Sequence, residues 1–144
     1  MFSMTGQYAL RAAIHLAQHP DEWPILGKDI AQEAGIPVKY LSKILSDLVR
    51  EGVLEASRGR NGGFRMTRPA AEVTLKDVLS PFEAFEQKRC PFANHPCGED
   101  SACLAHDQWV KVRAAQLQFL ATTSVEDVAV KRSRRAGRAK RNGK

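Results

Sequence analysis

The sequence predicts a mainly α-helical chain, a winged helix-turn-helix domain plus a long dimerisation helix, and three observations predict it. Two short amphipathic segments, LGKDIAQEAGI and IPVKYLSKILSDLVREG, adjoin at Gly35; two short helices across a tight glycine-containing turn make the helix-turn-helix pattern. Two β-like runs flank RGRNGG directly afterwards, the pattern of a hairpin, or wing. Beyond residue 101 comes a long apolar stripe, which a single projecting helix cannot bury by itself and which therefore calls for a second copy.

The elements follow in order. A first helix is expected over about Thr5–Gln18, with Leu10, Ala13, Ile14 and Ala17 on one face and His15 beside that face, partly exposed. Pro20 and Pro24 then break the chain. The second helix turns Ile30, Ala31 and Ala34 inward and stops at Gly35. In the third, Pro37 suits the first turn, Leu41, Ile44, Leu45 and Leu48 form the buried stripe, and Gly52 ends it; Lys39, Ser42, Lys43 and Ser46 occupy the opposite face. The wing strands are expected at Val53–Ser57 and Phe64–Thr67, with Asn61-Gly62 as the hairpin turn. A fourth helix is expected over Thr74–Phe85, opened by a Thr74/Asp77 capping box and bent or shortened by Pro81. The long helix should run from about Ser101 to Ala121 with Trp109, Val112, Gln116, Leu117 and Leu120 near one stripe, Leu104 at its start, and a short last helix opening at the Ser124/Asp127 box.

The formal charge of +6 is unevenly placed. The last fourteen residues, KRSRRAGRAKRNGK, carry eight Lys/Arg and no acid, leaving 14 bases against 16 acids before them. Within that acidic body, residues 36–68 hold seven bases and three acids, while 1–35 and 71–130 are net negative. A basic stripe in an acidic body points to a nucleic-acid surface more specifically than a high isoelectric point does. No apolar run is long enough for a membrane span, and the N-terminus lacks the basic and apolar regions of a signal peptide, so a cytoplasmic protein is expected, without a membrane partner. At 43% hydrophobic residues, 144 residues suit one core-bearing domain with an appendage.

A helix-turn-helix docks its second helix in the major groove of double-stranded DNA. The candidate contacts are Lys39, Tyr40, Ser42 and Lys43 on that helix and Arg58, Arg60 and Asn61 on the wing. Lysines reach guanine edges and a serine any base; wing arginines suit a narrow minor groove. Tyr40 and Arg60 are assigned to phosphates. Any one of these alone reads as a solvated surface residue; their combination on one frame carries the assignment. The basic tail either adds salt-sensitive affinity or is a solvated terminus.

All three cysteines of the chain fall in RCPFANHPCGEDSACLAH, spaced Cys90-x6-Cys97-x5-Cys103. An odd, clustered set in a reducing compartment reads as metal ligands or redox thiols. Paired C-x2-4-C knuckles are absent. His106 follows Cys103 at i+3, so both can face one way on a first helical turn. Three thiolates with an imidazole leave an iron–sulfur cluster, zinc and unliganded redox thiols all open. A cysteine-nucleophile enzyme using His106 lacks any evident oxyanion device or orienting acid, so a non-enzyme is expected. A protein–protein adaptor built on the long helix is a further reading.

Taken together, YALRAAIHLA, IPVKYLSKILSDLVREGVLEASRGRNGGFRMTRPA and C-x6-C-x5-C-L-A-H-x2-W resemble the family of bacterial winged-helix regulators that includes IscR and NsrR, often written Rrf-two, over residues 1 to about 128. The resemblance implies a homodimeric transcription regulator, in this reading a repressor, whose cluster occupancy alters operator binding in response to redox, nitric oxide or iron–sulfur status. It matches Cys90, Cys97 and Cys103 to the family's three cysteine ligands and His106 to the fourth ligand of the IscR type, which holds a 2Fe–2S cluster. In the NsrR type, with 4Fe–4S, an aspartate just before a tyrosine in the partner's first helix completes the set; here Gln7, a poor iron ligand, precedes Tyr8. This departure favours His106 and 2Fe–2S. A second departure is the first cysteine gap, one or two residues longer than in those members; His95 is a substitute ligand within it. The alternative without a cluster is a thiol-disulfide switched or zinc-binding regulator. The expected divisions are 1–85 for the winged helix, 86–103 for the cysteine-rich loop, 101–130 for the dimerisation and last helices, and 131–144 for a basic disordered tail.

Overall fold

The structure, a computed structural model, describes residues 2–85, 92 and 104–129. Its elements are α1 (Met4–Gln18), α2 (Gly27–Ala34), α3 (Val38–Arg50), β1 (Leu54–Ser57), β2 (Gly63–Met66), α4 (Leu75–Leu79) and α5 (His106–Thr122), with 3-10 turns at Pro20–Glu22 and Ala70–Glu72. Helix α1 packs on α2, α3 and α4, and α4 on α5.

Ser3 opens α1: its hydroxyl oxygen accepts from the Gly6 N–H at 3.0 Å, satisfying one of the helix's unpaired first-turn donors. The same serine donates to Glu83 Oε1, so the N-terminus is tied to the loop after α4. The core-facing side of α1 differs from the expected stripe. Ala9, Ala12, Ala13 and Leu16 are fully buried, whereas Leu10, Ile14 and Ala17 are only half-buried. Small alanines let α1 approach three other helices closely, so the longer side chains are turned to its flank. Helices α2 and α3 follow expectation: Gly35, at φ 67, caps α2, where only glycine takes a left-handed backbone without cost. Leu41, Ile44, Leu45 and Leu48 of α3 are buried, and Pro37 stands one residue before the helix as its N-cap.

The wing strands pair antiparallel with Leu54 opposite Met66 and Ser57 opposite Gly63; the first expected strand begins one residue later, and the second moves back by one residue at both ends. The turn is a correction. Asn61-Gly62 does not form a two-residue hairpin loop; residues 58–62 connect the strands, and the Gly62 N–H donates to the Gly59 carbonyl. Asn61 therefore lies mid-turn at negative φ, and Gly59 and Gly63 carry the positive φ values. The sheet gains a third line at Ile25, which exchanges two backbone hydrogen bonds with Phe64 at 3.0 and 2.8 Å.

The Thr74/Asp77 capping box is present, but α4 ends at Leu79 rather than continuing to Phe85. Pro81 has no N–H to donate to the Asp77 carbonyl four residues back, and the chain turns even though Ser80 keeps helical dihedrals. The end of α5 returns to this point: the Leu75 N–H donates to the Thr123 carbonyl and the Val125 N–H to the Val73 carbonyl. Ser124 and Asp127 exchange reciprocal capping bonds that open a helical turn at residues 125–129. Of the stripe expected on α5, only Leu120 is buried; Trp109, Gln116 and Leu117 are half-buried, and Val112 is 53% exposed. The apolar residues surround the helix rather than forming one seam, and the domain covers only one side.

Candidate DNA-binding surface and cysteine segment

The core of α3 decides what its outer face shows. With Leu41, Ile44, Leu45 and Leu48 buried, Lys39, Ser42 and Lys43 are forced outward at i, i+3 and i+4, and Tyr40 beside them is 66% exposed. The Ser42 hydroxyl donates to the Val38 carbonyl at 3.0 Å, leaving its lone pairs as acceptors. Arg58, Arg60 and Asn61 are exposed on the wing turn.

Ion pairing sorts the basic stripe. Arg50 pairs with Asp47, Arg65 with Glu55 and Arg68 with Asp77. Among the described residues, Lys39, Lys43, Arg58 and Arg60 face no carboxylate within ion-pair distance. The four unpaired bases of residues 36–68 are therefore the four singled out from sequence. Arg11 is used internally: it donates to the Ala34 and Gly35 carbonyls at the end of α2 and lies 5.5 Å from the Tyr8 ring centre. Sequence reasoning passed over Lys28, which is exposed in the first turn of α2 and likewise unpaired. The net negative charge of residues 1–35 concealed it; its position on the first helix of the helix-turn-helix was the available signal.

Behind the wing turn, Arg60, Asn61 and Gly62 share an open cleft of about 730 Å³ with His15, His19, Glu22, Asp29 and Glu33. The His15 and His19 rings lie 4.6 Å apart. Burial, followed by the neighbouring His19, lowers the His15 pKa below 6.5, against weaker raising effects of Glu33 and Glu22.

Of the second candidate site, Cys90, Cys97, Cys103 and the substitute His95 lie outside the described residues, as do residues 131–144. The structure places His106 as the first residue of α5, half-buried. Three residues on, Trp109 meets Phe92 edge to face, with ring centres 6.0 Å apart. The Trp109 indole Nε1 is buried and has no hydrogen-bond partner among the described residues. Gln7 donates to the Phe2 carbonyl. The donor types in the sequence, three thiolates and an imidazole, are chemically suited to an iron–sulfur cluster.

A family model described as Rrf2, iron-dependent transcriptional regulator, matches residues 2–131. The chain belongs to the Rrf2 family. A protein named rrf2 from Nitratidesulfovibrio vulgaris is 31% identical over 85% of this chain and 83% of its own length. The regulator IscR of Xenorhabdus nematophila is 30% identical over 85% of this chain and 75% of its own. The solved structure of CymR, the global cysteine regulator of B. subtilis, superposes with a TM-score of 0.76 at 27% identity, covering 91% of this chain and 97% of that one. This Rrf2 protein is thus a winged-helix transcriptional regulator and not an enzyme. No described helix is long and apolar enough to cross a membrane.

Proposed function

We propose that this Rrf2 regulator is a homodimeric, cytoplasmic repressor whose operator binding is controlled by an iron–sulfur cluster held by Cys90, Cys97, Cys103 and His106, of the 2Fe–2S rather than the 4Fe–4S type. The observation that carries the reading is C-x6-C-x5-C-L-A-H-x2-W, with its histidine opening α5. The IscR likeness supports the cofactor; Gln7 in place of an acid supports His106. A bound cluster supplies sensitivity to oxidants, nitric oxide and iron supply.

The chain's own residues do the rest. Lys39, Ser42 and Lys43 read base edges; Tyr40, Arg58, Arg60 and Asn61 hold the backbone and minor groove, and Lys28 adds a phosphate contact. The exposed Val112 and Phe119 of α5 pair with a second copy. The ligand His106 sits on the helix that also sets the dimer, so ligation there alters the spacing of the two recognition helices, which must match the half-sites. The chain accordingly divides at 1–85, 86–103, 101–130 and 131–144.

Anaerobically purified protein should be brown and contain iron and sulfide, and His106→Ala should lose or alter its spectrum. Colourless, iron-free protein after anaerobic reconstitution would contradict the reading. The likeness to a cysteine regulator favours a second one, in which Cys97 and Cys103 form a reversible disulfide or the segment holds zinc. Mass spectrometry after oxidant treatment and metal analysis separate these.

A further inference from the structure

We propose that Val38 is a base-reading residue, which recognises the C5-methyl group of a thymine in the operator half-site. The inference rests on the docking of α3 in the major groove proposed above, and it adds an apolar contact to the polar ones. Its starting point is an apolar side chain left in water at the reading end of the molecule. Val38 is the first residue of α3 and is 54% exposed, whereas Leu41, Ile44, Leu45 and Leu48 of the same helix are buried. A recognition helix presents its N-terminal residues to the base edges.

A single exposed valine is ordinary on a protein surface, but the setting of this one points to a ligand. Valine is a poorer helix former than alanine, glutamate or lysine, so helix stability does not account for it at an exposed first-turn position. The first turn of α3 also holds no acid, although acids there would favour the helix dipole. Val38, Lys39 and Tyr40 instead leave that turn without a negative charge to repel a phosphate backbone. One turn on, the Ser42 hydroxyl donates to the Val38 carbonyl at 3.0 Å, so its hydrogen is already engaged. The edge formed by Val38 and Ser42 therefore offers methyl groups and an acceptor, with no side-chain hydrogen left to donate. In the major groove guanine shows acceptors only, whereas thymine alone carries a methyl group. An apolar edge without a donor is complementary to thymine and mismatched to guanine. The neighbouring lysines, Lys39 and Lys43, carry the donors for guanine.

The test uses full-length protein, purified anaerobically, and an operator that the protein itself selects from a random duplex pool. Each thymine of one half-site is replaced in turn by deoxyuridine, which pairs identically and lacks only the methyl group. Fluorescence anisotropy should show a position at which the replacement weakens wild-type binding about fourfold, the effect of leaving one methyl group unburied. Val38→Ser, a change at an exposed position that leaves the core of α3 intact, should bind the thymine and deoxyuridine duplexes equally. Lys43→Ala should bind both more weakly and keep the difference between them. Where a variant binds too weakly to measure, both duplexes are compared at lower salt, which strengthens the phosphate contacts and leaves the methyl contact alone. Wild-type protein indifferent to every deoxyuridine overturns the inference, as does a difference that survives Val38→Ser or disappears equally in Lys43→Ala; in each case the docking of α3 still stands. Operator affinity unmoved by Lys39→Ala and Lys43→Ala together would refute the docking itself, and the inference with it.

Discussion

At the residue scale, the electrostatics divide into paired and unpaired charges, and the division predicts unequal substitutions. Among the described residues Lys43 and Arg58 have no acidic partner, so Lys43→Ala and Arg58→Ala should each weaken operator binding by about 1–3 kcal/mol if they read bases, or reduce the salt slope by about 1 if they hold phosphates. Arg65 is paired with Glu55, and Arg65→Ala should alter operator binding far less. Fluorescence anisotropy on operator DNA across a salt series measures both, and an Arg65→Ala loss as large as that of Arg58→Ala would refute the division. His15 supplies a pH prediction. Its folded pKa lies below 6.5, so the unfolded chain binds more protons in the window between the two values. Stability then rises with pH across that window: it is lost as pH falls from about 7 through 6.5 toward the lowered pKa, and the penalty is absent above. His15→Gln should flatten the thermal midpoint across that range, and an unchanged slope would remove His15 as its cause.

At the element scale, the wing depends on a close backbone approach. A Cβ on Gly63 would lie 2.5 Å from the Ile25 carbonyl carbon and oxygen, at a φ of 145°. Gly63→Ala should therefore unseat the Ile25–Phe64 bridge, lower the melting temperature and weaken operator binding. Helix α4, at five residues, leans on its capping box, and Thr74→Ala should cost about 1 kcal/mol, seen as a melting shift of a few degrees. How legible each element was in the sequence follows from what fixes it. Helices α2 and α3 were readable because period, stop glycines and burial all agree there. The α1 stripe was misread because hydrophobicity ranks leucine and isoleucine above alanine, whereas close packing selected Ala9 and Ala12. The end of α4 was set too late, at Phe85, because apolar residues continue past Pro81, although Pro81 itself signalled the shortening. The bridge at Ile25 has no local signal, since its partner is Phe64, far along the chain.

At the scale of the whole molecule, α5 packs against α4 of the winged-helix half. The sequence showed α5 as an apolar helix and its histidine as a ligand candidate; it did not show that the helix end is clipped to Val73 and Leu75 of the DNA-binding half, because that pairing depends on the fold. Val112 and Phe119 remain more than half exposed on one copy, and exposed apolar surface of this kind marks a contact. Phe119→Asp should convert a dimer to a monomer by sedimentation and reduce affinity for a two-half-site operator while leaving the fold intact by circular dichroism. A dimer unaffected by the charge would place the interface elsewhere. The candidate site was only partly legible: the outward face of Lys39, Ser42 and Lys43 follows from the buried stripe of α3, whereas the ion pairs that take up Arg65 and Arg68 depend on the fold. The most direct measurement of the central claim is the affinity of anaerobically purified protein for its own promoter DNA before and after removal of the cluster, at fixed salt. The two forms should differ at least tenfold, about 1.4 kcal/mol. Equal affinities for a loaded and a stripped protein would contradict cluster control of DNA binding.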